Sequence, residues 1–184
     1  MITNHDRSGW FGASDTQMIM GSWNTKTFAR WWLEKLGVIQ NIYTNTYMMA
    51  GTHFEHRILD QIGTTKRDRQ IKKRTLRLRV NLDGETHTTI REVKTHLNPK
   101  FTITKGYWGQ AQVQMYAAQK ALEIVAYQLE ADDYNNFYRE IDPARLSIHP
   151  IAYDSRFIKE DYLPRIIYLC ACLKRRKTPR TEEL

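Results

Sequence analysis

The chain has 184 residues, 41% of them hydrophobic, which suffices for one domain with its own core. No apolar run approaches the roughly 20 residues that span a bilayer, and Met1-Ile2-Thr3-Asn4-His5-Asp6-Arg7 lacks the basic and apolar regions of a signal peptide. Lys and Arg number 28 against 20 Asp and Glu, a net +8, and such an excess favours a polyanion partner, because each neutralised phosphate releases condensed counterions.

In chain order, Ser14 or Asp15 caps a short helix over 14–21. An aromatic-rich helix over 25–36 carries Phe28, Trp31, Trp32 and Leu36 and stops at Gly37. A third helix spans 46–62 and ends at Gly63. The period then changes: Leu76, Leu78, Val80 and Leu82 alternate with Arg77, Arg79 and Asn81, the pattern of a half-buried strand. Asp83-Gly84 reads as a hairpin turn into a second strand over 87–95. Ala111, Met115, Ala118, Leu122, Val125 and Leu129 draw one stripe along a long amphipathic helix, 106–130. A polar loop over 131–143, a strand over 146–153 and a helix over 156–174 follow. Cys170 and Cys172 lie in that last helix; two thiols cannot make a four-cysteine zinc or iron–sulfur site, so both read as ordinary buried thiols. The expectation is a single cytoplasmic domain over 1–184 with a flexible basic tail from about 175. Helices, a hairpin and more helices imply an α/β or α+β domain with a mixed sheet.

Chemistry concentrates around the hairpin. Glu92 and Lys94 share one face of the second strand, with Val93 pointing the other way. Asp83 closes the preceding strand, so Asp83, Glu92 and the Val93 carbonyl can meet as a hard oxygen site suited to Mg²⁺ or Mn²⁺. Lys94 is a point charge that can orient water or stabilise a phosphate oxygen. In the 46–62 helix, Met48, Thr52, Glu55, Leu59 and Ile62 fall on one stripe in which only Glu55 ionises. A carboxylate there wants a cation, a metal or a basic side chain. Gln112 and Tyr116, four apart, share a helix face, and Gln114 lies between them. Each feature alone has a bland reading: a common turn, a solvated strand face, a polar helix face.

Together, Glu55 within Ala50-Gly51-Thr52-His53-Phe54-Glu55, Asp83, Glu92-Val93-Lys94 and Gln112 through Tyr116 resemble the PD-(D/E)XK nuclease superfamily. Within it the likeness is to the phage lambda-exonuclease and YqaJ-type recombination enzymes. The run Ala111-Gln112-Val113-Gln114 is similar to that group, as is Arg7 followed at the same spacing by Ala13-Ser14. The resemblance covers about residues 7–120. It departs at Leu82, where the superfamily's name has Pro, and at the chain's start, six residues before Arg7, where a longer DNA-contacting extension is expected to be absent. Two cysteines argue against the cluster-bearing branch.

The resemblance implies a restriction-endonuclease-like α/β core, a mixed central sheet flanked by helices. It implies a Mg²⁺-dependent exonuclease, with Mn²⁺ as substitute, that digests double-stranded DNA from a 5′ end and leaves 3′ overhangs for recombination. Two metals are implied, one held by Asp83, Glu92 and the Val93 carbonyl, the second by Asp83 and Glu55. Gln112 or Gln114 would position Lys94 or the scissile phosphate, and Arg7 with Ser14 would hold the 5′-phosphate. A phage or prophage origin, a single-strand annealing partner and a ring-shaped trimer are implied likewise. The rivals are an endonuclease of the same fold, restriction or junction-resolving, a DNA-binding module without catalysis, and a structural phage protein, which the charge pattern does not support.

Overall fold

The computed structural model describes residues 7–40 and 45–183; the first six residues, read above for a signal pattern, lie outside them. Five strands form one sheet: β1 (Lys66–Lys73), β2 (Leu78–Glu85), β3 (Thr89–His96), β4 (Ala121–Gln128) and β5 (Leu146–Ile151). They lie in chain order. β1–β2, β2–β3 and β4–β5 are antiparallel, while β3–β4 is parallel. A parallel pair needs a long crossover, and helix α4 (Lys105–Ala118) provides it, its start capped by Thr104, whose hydroxyl accepts from the Tyr107 amide. The fold is α/β of the restriction-endonuclease-like type, as the resemblance implied.

β4 lies between β3 and β5 and is buried on both faces. Leu122 and Ile124 join the larger core, with Val80, Leu82, Ile90 and Val113, under the aromatic rings of α2 (Lys26–Lys35), Phe28, Trp31 and Trp32. Val125 and Tyr127 turn to the other side, against Phe54, Ile58 and Leu59 of α3 (Thr46–Gln61). Each such side chain contributes about 1.5–3 kcal/mol by leaving water. The short α1 (Thr16–Met20) follows a 3-10 turn over Ala13–Asp15, and α5 (Leu163–Arg175) follows a π-helical turn over Phe157–Tyr162. Cys172 is buried and Cys170 donates its thiol to the Leu76 carbonyl; both are free. Among the described residues no helix is long and apolar enough to cross a membrane.

Four expectations need correction. The long helix over 106–130 is α4 followed by β4. Gln119 takes a left-handed backbone (φ 55°) that ends the helix, and a strand buried on both faces gives an apolar run that fits either period. The hairpin turn is not at Asp83-Gly84: β2 continues to Glu85, and Thr86 and Thr89 close the turn. β1 has no counterpart in the sequence reading. Six of its eight residues are charged, as an outer strand tolerates but a periodicity search does not find. The buried stripe of α3 is Ala50, Phe54, Ile58 and Leu59, while Met48 and Thr52 are exposed.

Candidate active site

The sheet opens at the acids. β1 pairs Arg67 with Gly84 and Arg69 with Leu82, and the pair between is missing, so Asp68, with φ 54°, falls opposite Asp83. β2 and β3 pair only at Gly84–Arg91 and Glu85–Ile90, so Asp83 and Glu92 come next in line without ladder bonds. Leu78, Val80 and Leu82 face the larger core, whereas a side chain on Gly84 would meet Leu59 of α3 at 2.7 Å. The alternation of faces thus slips by one residue at Asp83, as in a bulge, and such slips re-aim side chains. The Asp83 carboxylate turns to the freed Val93 amide, accepting from it at 2.9 Å. Asp68, Asp83 and Glu92 stand in one row across three strands.

Glu92 is buried and fully engaged. Its Oε1 lies 2.6 Å from Lys94 Nζ and accepts from Gln110 Nε2 at 2.5 Å, and its Oε2 accepts from Gln114 Nε2 at 2.5 Å. Gln114 also donates to the Asn81 carbonyl at 3.3 Å, and its own Oε1, buried, has no partner among the described residues. Lys94 lies over the Tyr107 ring at 5.2 Å and within 3.5 Å of Gln110 Oε1. Burial alone would lower the Lys94 pKa, but the Glu92 and Asp83 charges outweigh it and hold the ammonium above its usual range.

Of the two glutamines raised by the sequence, Gln114 reaches the acids and Gln112 does not. Gln112 donates to the Ala152 carbonyl at 2.9 Å and accepts from the Asp154 amide at 2.7 Å, stapling the segment after β5. Tyr116 also lies elsewhere, under Lys73. The residue missed is Gln110. Tyr107, Gln110 and Gln114, at i, i+3 and i+7, form the helical stripe that faces Glu92 and Lys94.

Glu55 borders a cleft of about 340 Å³ shared with Thr52, Val93, Lys94, Thr95 and Tyr107. Its pKa is pushed up to about 7 by burial first, then by the Glu92 and Asp68 charges, with Lys94 opposing. Burial likewise raises Asp83 well above the carboxylate range, helped by Glu92 and Glu55 and resisted by Lys94 and the Val93 amide. The carboxylates are crowded beyond what one lysine compensates, which is the electrostatic setting for a divalent cation. Among the described residues, one set of three His, Cys or acid side chains has its ligand atoms all within 4.8 Å of one another: Glu55, His56 and Asp68. His56 Nε2 lies 3.0 Å from Asp68 Oδ2. Neither His56 nor Asp68 was anticipated, although Asp68 is the one acid in a cationic strand.

Arg7 and Ser14 do meet: Arg7 Nη2 donates to Ser14 Oγ at 2.7 Å. Ser14 does not cap the turn it occupies, which begins after Gly12. The organiser is Asp15, buried, whose carboxylate accepts from the Gly12 amide at 2.7 Å and Trp31 Nε1 at 3.0 Å and lies 2.5 Å from Lys35 Nζ. Burial would raise the Asp15 pKa, but Lys35 and Arg7 overcome it and hold it low. Thr16, next in the chain, would meet a side chain on Gly109 at 2.8 Å. Gly109 precedes Gln110, so α4 supports both the Arg7 turn and the acids.

Neither a protein-family model nor a curated protein sequence matches the chain. Solved structures do. An alkaline exonuclease from Laribacter hongkongensis superposes with a TM-score of 0.63 at 20% identity, over 92% of this chain and 94% of its own. A phage-related exonuclease from Haemophilus somnus 129PT superposes with the same TM-score of 0.63 at 14% identity, over 91% and 94%. This chain has the fold of those exonuclease structures.

Proposed function

We propose that the chain is a divalent-metal-dependent deoxyribonuclease that degrades duplex DNA from a 5′ end and leaves 3′ overhangs. The observation that carries the reading is the row of Asp68, Asp83 and Glu92 beside Glu55, crowded enough to raise two of their pKa values, with Lys94 fixed at its edge. The donor set is all oxygen at Asp83, Glu92 and the Val93 carbonyl, which fits Mg²⁺ or Mn²⁺, with Glu55 and Asp83 for a second ion. His56 and Asp68 extend the Glu55 side of that set. A cation held there supplies an activated water and neutralises charge on the phosphate.

The chain's own groups divide the remaining work. Asp83 and Glu92 hold their oxygens at the opening of the sheet, and Gln110 and Gln114 fix both oxygens of Glu92. Lys94, fixed beside Glu92 and near Gln110, stands as a cation toward the phosphate or the water. Arg7 and Ser14 offer a guanidinium and a hydroxyl to a terminal 5′-phosphate, on a turn braced by Asp15, Lys35 and Trp31. The reading includes the cytoplasm of a phage or prophage host, which the likeness to a phage-related exonuclease structure supports. A single-strand annealing protein that takes up the overhang and a trimeric ring around the duplex complete the reading.

The test compares linear and closed circular duplex with Mg²⁺. Loss of the linear form alone, faster with a 5′-phosphate than a 5′-hydroxyl, is the expected result, and Arg7→Ala removes most of that preference. Cutting of closed circles would replace the exonuclease with an endonuclease. Equal rates at both kinds of end would remove Arg7 and Ser14 from the site.

A further inference from the structure

Of the 14 residues from Lys66 to Arg79, eight are Lys or Arg and one, Asp68, is acidic, a net +7 against +8 for the whole chain. This stretch is β1, the turn after it and the start of β2, and β1 is the sheet's outer strand. Arg67 pairs with Asp60 and Arg69 with Glu85. Lys66, Lys72, Lys73 and Arg74 have no carboxylate partner among the described residues, and Lys66, Lys72 and Arg74 are exposed. One or two lysines would suffice to keep an outer strand from pairing with other chains. Four cations without carboxylate partners repel one another, and a bound polyanion offsets that.

The strip joins the two halves of the proposed site. Near one end Asp68 stands in the acid row. At the other, Arg77 donates to the Gly9 carbonyl and Leu78 bridges Phe11, on the segment that leads from Arg7 to Ser14. Trp10 and Tyr116, both half-buried, lie under Lys72 at 5.8 Å and Lys73 at 5.2 Å. The exposed side chains of the strip are mainly cationic, which suits the phosphate backbone of a duplex.

We propose that β1 and the turn after it form a track for the phosphate backbone of duplex DNA, on which the exposed Lys66, Lys72 and Arg74 each neutralise a phosphate. The track rests on the nuclease reading for the identity of its polyanion. It runs about 26 Å, eight residues at roughly 3.3 Å each, and so holds the duplex between the acid row and the Arg7 turn.

The experiment measures binding of a fluorescent duplex by anisotropy in EDTA over a range of salt. The triple variant K66Q/K72Q/R74Q is expected to lower the slope of log affinity against log salt by about 2 to 3, near 0.9 per lost phosphate contact. Binding near 0.1 M salt should weaken at least about tenfold. A control triple, K174Q/R175Q/R176Q, removes the same charge from the end of α5 and is expected to leave the slope within about half a unit. Should the triple variant not fold, K72Q and R74Q measured singly each lower the slope by about 0.9. An unchanged slope, an equal fall in the control, or a loss confined to single-stranded DNA overturns the track. Cleavage is scored separately in Mg²⁺. A protein that loses slope but never cuts keeps the track and sinks the nuclease; one that cuts with an unaltered slope does the reverse.

Discussion

Glu92 meets Lys94, Gln110 and Gln114 within 2.6 Å, so its position is set by three side chains from two elements. Replacing Gln114 with Leu removes one of those donors without touching the acids, and kcat is expected to fall about 10- to 100-fold while the fold persists. Steady-state rates on a linear duplex check this, and an unchanged kcat would leave Gln114 as packing only. A second expectation concerns pH. Glu55, raised to about 7, and Asp83, raised as well, bind protons in the folded state that they release when unfolded. The metal-free protein therefore loses stability as pH rises from the ordinary carboxylate range through about 7. A divalent cation relieves the same repulsion, so the gain in Tm on adding Mg²⁺ is larger at pH 8 than at pH 5. Melting curves with Mg²⁺ and with EDTA at both values measure it, and equal gains would contradict a shared site for those acids. At this scale the residue types at 55, 83, 92 and 94 could be read from the sequence because chemistry restricts them. The choice between Gln112 and Gln114 could not, since both are buried polar residues on one helix and only packing decides which faces the acids. Gln110 was within reach, had the helical period been run backward from Gln114.

Elements were legible where one face meets water and illegible where two faces or none are buried. β2 alternates and was found; β4 is apolar on both sides and merged with α4; β1 is nearly all charged and was passed over. The break between α4 and β4 falls at Gln119, which holds a left-handed conformation that costs a side-chain-bearing residue roughly 1–2 kcal/mol. Gln119→Gly relieves that strain at the price of some unfolded-state entropy, a net gain of about 0.5–1 kcal/mol. Thermal melts should show a rise of about 2–4 °C per kcal/mol for a chain of this size. A fall in Tm would mean that the Gln119 side chain matters more than its backbone. The slip at Asp83 belongs to this scale too. A turn signal in Asp83-Gly84 concealed a slip of the face alternation inside a strand, and glycine suits that point because Leu59 and Thr64 each come to 2.7 Å of where a side chain would begin.

Over the whole molecule, the sheet carries the acids, α4 carries the glutamines that fix them, and the aromatic-rich α2 braces the turn bearing Arg7 and Ser14. The brace is ionic: Lys35 and Asp15 are both buried. Lys35→Met leaves Asp15 without its closest counter-ion and is expected to cost about 3–5 kcal/mol. Denaturant unfolding measures the loss, and a loss below about 1 kcal/mol would mean that Arg7 and Trp31 alone satisfy that carboxylate. The fold class was legible from the order of helix, hairpin and helix, while the row of acids across three strands required the register, which no spacing in the sequence reveals. The proposed cleavage depends on that row. The most direct measurement is cleavage of a 5′-phosphorylated linear duplex in Mg²⁺ by the intact protein, Asp83→Asn and Glu92→Gln side by side, each verified as folded. The expected result is metal-dependent digestion by the intact protein and a fall of about 10²- to 10³-fold or more in each variant. Digestion at the intact rate by either variant, or by the intact protein in EDTA, would contradict it.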